Sequence, residues 1–183
     1  MKKRARWILR QWNFFDQFLP RTPNRQFLSG ETHLYLGRQY RLKPSISELS
    51  RVKLNRGFFM VENTNISPEK ISILMTNWYR QKALEHFQVL FEELWFKFSE
   101  SAELKPRLQI KIMRTRWGSL SKGGILSLNP DLIRSPKECI EYVICHEFCH
   151  IQFHDHSRGF FKLLQSRMPD WPERKMKLEK ALV

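Results

Sequence analysis

The chain has 183 residues, 42% of them apolar and 13% aromatic, enough to bury a core in one domain, or one domain with an appendage. Its formal charge of +14 and pI of about 10.1 suit nucleic acid, an anionic membrane surface or acidic substrates, and equally a solvated basic surface. No run approaches the ~18 apolar residues of a membrane span. The three cysteines, an odd count confined to positions 139, 145 and 149, argue against a disulfide framework and for a reducing compartment.

The start, Lys2-Lys3-Arg4-Ala5-Arg6, leads only into Trp7-Ile8-Leu9 before Arg10 interrupts. That is too short for a secretory leader, so the chain is expected to be cytoplasmic. Residues 4–19 read as a helix, with Trp7, Ile8, Phe14, Phe15, Phe18 and Leu19 apolar and Pro20 closing it. A basic helix rich in Trp and Phe can lie on a membrane; docking on its own domain is the expectation here. Arg21-Thr22-Pro23-Asn24 reads as a turn.

Thr32 to Lys43 reads as paired strands punctuated by Gly37. A second hairpin over Val52–Val61 turns at Asn55-Arg56-Gly57. Together they predict a small antiparallel sheet. Residues 1–66 are thus read as an N-terminal helix and β-hairpin region, and 67–183 as the core, the two making one compact unit.

Ser67-Pro68-Glu69 has the marks of a helix start: a Ser N-cap, Pro at the first helical position and an acid in the first turn. The helix is predicted to run to about Phe98, with Leu84, Phe87, Phe91, Leu94 and Phe98 as its apolar face. Arg107–Arg116 alternates and reads as a strand. Ser121–Gly124 is a turn, and Ile125–Leu128 returns as the partner strand. Ser135-Pro136-Lys137-Glu138 has capping-box spacing and opens a helix with Ile140, Val143, Ile144 and Phe148 on its buried side.

That helix carries His146-Glu147-Phe148-Cys149-His150, a His-Glu-x-x-His pattern. Positions four apart share a helix face, so His146 and His150 present two imidazoles to one point. Such a point suits Zn2+, which takes neutral imidazole in tetrahedral geometry. Glu147 lies about 100° round the helix, where it can accept a proton from water activated by the metal. His156 is a candidate third ligand, and three protein ligands leave one position open for catalysis. His154, Asp155 and Glu173 are rivals for the same place.

Positions 150 and 156 are about 600° apart on an unbroken helix, so the backbone must turn around 152–155 for His156 to reach the metal. Some zinc peptidases make that turn with a Gly; here Phe153 stands there. Cys145 and Cys149 precede the histidines by one residue each and face away from them, so they read as small buried apolar residues. A short helix starts at Gly159–Leu164, Met168–Pro172 breaks it, and Glu173–Leu182 forms a basic terminal helix.

The whole chain resembles the YgjP-like zinc metallopeptidases, relatives of the SprT-like proteins. The resemblance is carried by Arg114-Thr115-Arg116-Trp117-Gly118-Ser119, Leu126-Ser127-Leu128-Asn129, Tyr142 through His150, His156-Ser157 with Phe160-Phe161, and Met168-Pro169-Asp170. Ser29–Thr32, Tyr35–Arg38 and Trp78-Tyr79-Arg80 add to it. It implies an α+β, zincin-like minimal metallopeptidase fold: small antiparallel sheets packed with a long helix and the active-site helix. By that match His146, His150 and His156 carry over as zinc ligands and Glu147 as general base. The family usually has Cys where this chain has Leu120, a position that is not a ligand. It also commonly has more sheet before the first helix, so this chain looks short at its N-terminus.

The reading that follows is a zinc-dependent peptidase acting on a peptide or protein substrate. An extended substrate is expected along the strand edge at Ile125–Leu128. Arg116, His154 and Arg158 are candidates for oxyanion support, while Arg114 and Arg116 could equally be ion-paired loop residues. The alternatives are a nucleic-acid-associated protein binding without sequence preference, a zinc-dependent nucleotide or phosphoanhydride hydrolase, and a zinc-stabilised scaffold without turnover.

Overall fold

The computed structural model describes residues 25–99 and 104–181; the helix expected at 4–19 and the turn at 21–24 lie outside them. Strands β1 (Thr32–Tyr35), β2 (Arg38–Ile46), β3 (Arg51–Asn55) and β4 (Phe58–Asn63) form one sheet in the order β1-β2-β4-β3. Both hairpins close through two residues at positive φ, Leu36-Gly37 and Arg56-Gly57, the type I′ geometry whose twist suits adjoining antiparallel strands. The hairpins are antiparallel as predicted, but they join through a parallel β2–β4 pairing. The sheet is therefore mixed. Turn chemistry specifies each hairpin locally and carries no information about which edges the hairpins share.

Helix α1 spans Pro68–Phe98, capped by the Ser67 hydroxyl accepting from the Lys70 N–H at 3.5 Å. Its buried line is Ile71, Met75, Tyr79, Ala83, Phe87, Leu90, Phe91, Trp95 and Phe98. Leu84, placed on that face by the sequence reading, is 53% exposed. The first sheet lies on the N-terminal half of α1, where the Tyr79 hydroxyl donates to the Leu34 carbonyl at 2.7 Å and Tyr35 Oη pairs with His86 Nε2 at 2.8 Å. Both halves of the described chain share one apolar core.

A second, three-stranded sheet has the order β5-β7-β6, from β5 (Arg107–Ile110), β6 (Gly118–Leu120) and β7 (Ile125–Leu128). The strand expected over 107–116 stops at Ile110, and Ile112 is 69% exposed. The antiparallel partner of β7 across the Ser121–Gly124 turn is β6; β5 pairs with β7 in parallel. Buried Asn129 holds the intervening loop, donating from Nδ2 to the Met113 carbonyl at 2.8 Å, while its N–H donates to the Trp117 carbonyl at 2.9 Å.

A 3-10 turn, Pro130–Arg134, leads into helix α2 (Lys137–Cys149), followed by α3 (Arg158–Arg167) and α4 (Trp171–Ala181). The expected capping box at Ser135 does not form. Pro136 occupies the cap position and the Ser135 hydroxyl donates to the Leu132 carbonyl at 2.7 Å, closing the preceding turn. The entry to α2 is instead held from outside. The Leu36 and Gly37 N–H groups donate to the Ile133 and Arg134 carbonyls, and an added Cβ on Gly37 would stand 2.7 Å from Pro136 Cγ. At its far end α2 is anchored by Phe148, whose ring packs edgewise on Phe91 and Trp95 and tilted on Phe98, all within 5.5 Å. Truncating such a side chain to Ala costs roughly 3–5 kcal/mol. Among the described residues no helix is long and apolar enough to cross a membrane.

Candidate metal centre

Helix α2 ends at Cys149, one residue before the second histidine of the motif. The chain reverses from His150 onward, earlier than the 152–155 expected, with the Phe153 N–H donating to the Cys149 carbonyl at 3.0 Å. His150 Nδ1 lies 2.8 Å from the Phe153 carbonyl. A carbonyl only accepts, so Nδ1 carries the proton and Nε2 keeps a lone pair. Phe153 stands in this reversal, as the sequence reading placed it. Room for its ring comes six residues on, where an added Cβ at Gly159 would lie 2.4 Å from Phe153 Cε1.

The reversal brings His156 to the motif. His156 Nε2 lies 3.0 Å from His146 Nε2, and one nitrogen each from His146, His150 and His156 lies within 4.8 Å of the others. Ligand nitrogens around a tetrahedral zinc stand roughly 3.3–3.4 Å apart, so the set fits a metal with small adjustment. His154, Asp155 and Glu173 do not join the cluster. Burial first, then the neighbouring imidazoles, pushes the His146 pKa down to about 3 and lowers that of His156. Both are held neutral, the form that binds metal.

The imidazoles sit on one ring. Phe160, fully buried on α3, has its centroid 4.8–4.9 Å from those of His146, His150 and His156. Further out, Phe161 lies over His156, Trp171 over Phe161, and Tyr142 between Trp171 and His146. This aromatic fence orients two of the three imidazoles.

Glu147 is 7% exposed. Desolvation pushes its carboxyl up to about 7, against the pull of a hydrogen bond from the Leu120 N–H and of the Arg116 charge. Strand β6 passes directly over it: an added Cβ on Gly118 would lie 2.9 Å from Glu147 Cγ and 3.0 Å from Oε1. Gly118 and the Leu120 N–H were not singled out from the sequence as site groups. A glycine within a strand is the available signal, since it marks close backbone approach. The replacement of the family's Cys by Leu120 leaves this N–H in place.

A cleft of about 800 Å³ runs between β6 and α4, with His146, Glu147 and His150 on its floor. The strand edge proposed for substrate, Ile125–Leu128, is not an edge: β7 is the central strand, paired on both sides. The edge strands are β5 and β6, and it is β6 that lines the cleft. Bonds from the Asn129 N–H to the Trp117 carbonyl and from the Ser121 N–H to the Ile125 carbonyl set the alternation. The N–H and C=O groups of Gly118 and Leu120 therefore point away from β7. Of the oxyanion candidates, Arg116 and His154 line the cleft; Arg158 lines a separate depression beside Phe161 and Trp171. Cys145 and Cys149 are buried.

The family model described as YgjP-like, metallopeptidase domain, matches residues 1–181. Among solved structures the chain is similar to two metallopeptidase zymogens. One is jannalysin of Methanocaldococcus jannaschii, at 20% identity and TM-score 0.46, over 53% of this chain and 97% of that one. The other is abylysin of Pyrococcus abyssi, at 21% identity and TM-score 0.42, over 53% and 99%. No curated protein matches the chain.

Proposed function

The chain belongs to the YgjP-like metallopeptidase family, and from that premise we propose that it is a zinc peptidase with His146, His150 and His156 as ligands and Glu147 as general base. The observation that carries this reading is the convergence of three imidazoles beside one buried carboxylate. A zinc ion held there supplies a Lewis acid that polarises a carbonyl and brings the pKa of water toward about 7.

The remaining work falls to the chain's own groups. Glu147 takes the proton of the attacking water and returns it to the leaving amine, a transfer favoured when the carboxyl pKa is near the working pH. Burial has raised that pKa to about 7. The Leu120 N–H holds the carboxylate in one orientation. The Gly118 N–H and C=O and the Leu120 C=O, on the outward edge of β6, receive the substrate backbone, so an extended peptide adds as a strand beside Glu147. The nucleic-acid alternative rests on net charge, and no observation on the described residues adds to it.

Glu147→Gln tests the reading. It is expected to retain one equivalent of metal while peptide hydrolysis falls by at least about 10²-fold, the scale of general-base catalysis. A variant that hydrolyses peptide at the wild-type rate overturns the assignment.

A further inference from the structure

The cleft beside the metal centre holds two cations that no acid among the described residues answers. Arg116 precedes β6 and Lys122 lies in the turn after it; both are exposed and both line the cleft. Among the described residues neither is in an ion pair. Arg116 acts on Glu147 only through its field. On the opposite wall Lys175 is paired with Glu179 at 3.6 Å. Among the described residues the acids lining the cleft are thus Glu147, buried on its floor, and Glu179, already engaged.

Position along the strand gives these charges a direction. The Cα–Cβ direction of Gly118 points at Glu147, and Arg116, two residues before it, lines the same cleft and lies near enough for its charge to act on that carboxylate. A peptide lying along the β6 edge passes Arg116 at one end and Lys122 at the other, with Glu147 and the imidazoles between them. We infer that the cleft selects acidic peptide segments, Arg116 and Lys122 each meeting a carboxylate side chain on opposite flanks of the cleaved bond. This rests on the peptidase reading and adds the substrate class to it. A free strand edge between the two charges suits an extended peptide, which has backbone groups to pair with it; a phosphodiester backbone has none of that pattern. Charges in a cleft are also less screened than charges on an open surface.

The test uses the zinc-loaded full chain and three internally quenched peptide libraries. They share a randomised centre and carry Asp/Glu, Ser/Gln or Lys/Arg on both flanks. At low salt the acidic library is expected to be cleaved about tenfold faster than the neutral one, and the margin should shrink at high salt. Lys122→Glu is expected to remove most of that margin, bringing the rates of the acidic and neutral libraries together. Equal cleavage of acidic and neutral libraries overturns the inference while leaving the peptidase reading standing. Should no library be cleaved, the peptidase reading falls, and fluorescence anisotropy on Glu147→Gln still decides the cleft's preference. Acidic peptides binding tighter than neutral ones, with loss of the difference in Lys122→Glu, sustains it. A single-stranded oligonucleotide that displaces the acidic peptide at lower concentration than a competing acidic peptide does assigns the two cations to nucleic acid and overturns it.

Discussion

Gly118 lies against Glu147 so closely that a methyl group at residue 118 would stand 2.9 Å from the glutamate's Cγ. Contact at that distance cannot be absorbed by the end of a flexible chain, because Val143 Cγ1 closes the other side at 2.8 Å. Gly118→Ala therefore moves either β6 or the Glu147 carboxylate. Misplacing a catalytic group by an ångström can lower the rate about 10²-fold. The expected outcome is a kcat reduced by one to two orders of magnitude, roughly, with metal content preserved. Unchanged kcat in steady-state assays would show that the β6–Glu147 contact is not used.

The turn after the motif makes a different prediction. Phe153 and Gly159 form a complementary pair, the ring filling the space that a side chain at 159 would take. Gly159→Ala should loosen the reversal that delivers His156 and weaken zinc affinity by about 10-fold or more, on the scale of lost supporting contacts. Phe153→Leu, which shortens the ring, should restore affinity in the Gly159→Ala background. Competition against a chromogenic chelator reads both, and two additive losses would contradict the pairing.

Acid sensitivity should arise far from the site. His33 on β1 is 3% exposed, its Nε2 has no hydrogen-bond partner, and its ring lies between Phe27 and Phe59. Burial lowers its pKa to about 4, with Glu31 opposing and Arg25 and Arg134 reinforcing. The folded pKa lies below the unfolded value of 6.5, so the neutral form is favoured by folding. Stability from this group is complete above pH 6.5 and is lost as pH falls toward 4. Between pH 7 and 5 the loss is roughly 2 kcal/mol. Urea melts of His33→Phe against wild type should show a shallower pH dependence over that interval; parallel curves would contradict the assignment.

Local chemistry was legible and long-range pairing was not. The Ser67-Pro68 start of α1 and the period-four histidines were read from neighbouring residues alone, as were the Asn55-Arg56-Gly57 turn and the need for a reversal before His156. The parallel β2–β4 and β5–β7 pairings were missed because they join segments whose sequences do not specify each other. The same limit hid the free edge. Ile125–Leu128 reads as a good strand, and only the pairing of β5 along its far side makes it central. At Ser135 a correct local pattern lost to tertiary context, since the hydroxyl is taken by the preceding turn and Leu36-Gly37 secures the helix entry. Leu84 was assigned to the buried face by periodicity that the first sheet, covering only part of α1, does not honour.

The central claim is that three imidazoles, His156 among them, hold one metal. Elemental analysis of purified wild type and His156→Ala, after zinc loading and exhaustive dialysis, tests it most directly. The account predicts about one zinc per wild-type chain and a large loss in His156→Ala, with near-native circular dichroism in both. Full zinc retention by His156→Ala, together with loss in Glu173→Ala, would contradict it and move the third ligand to α4.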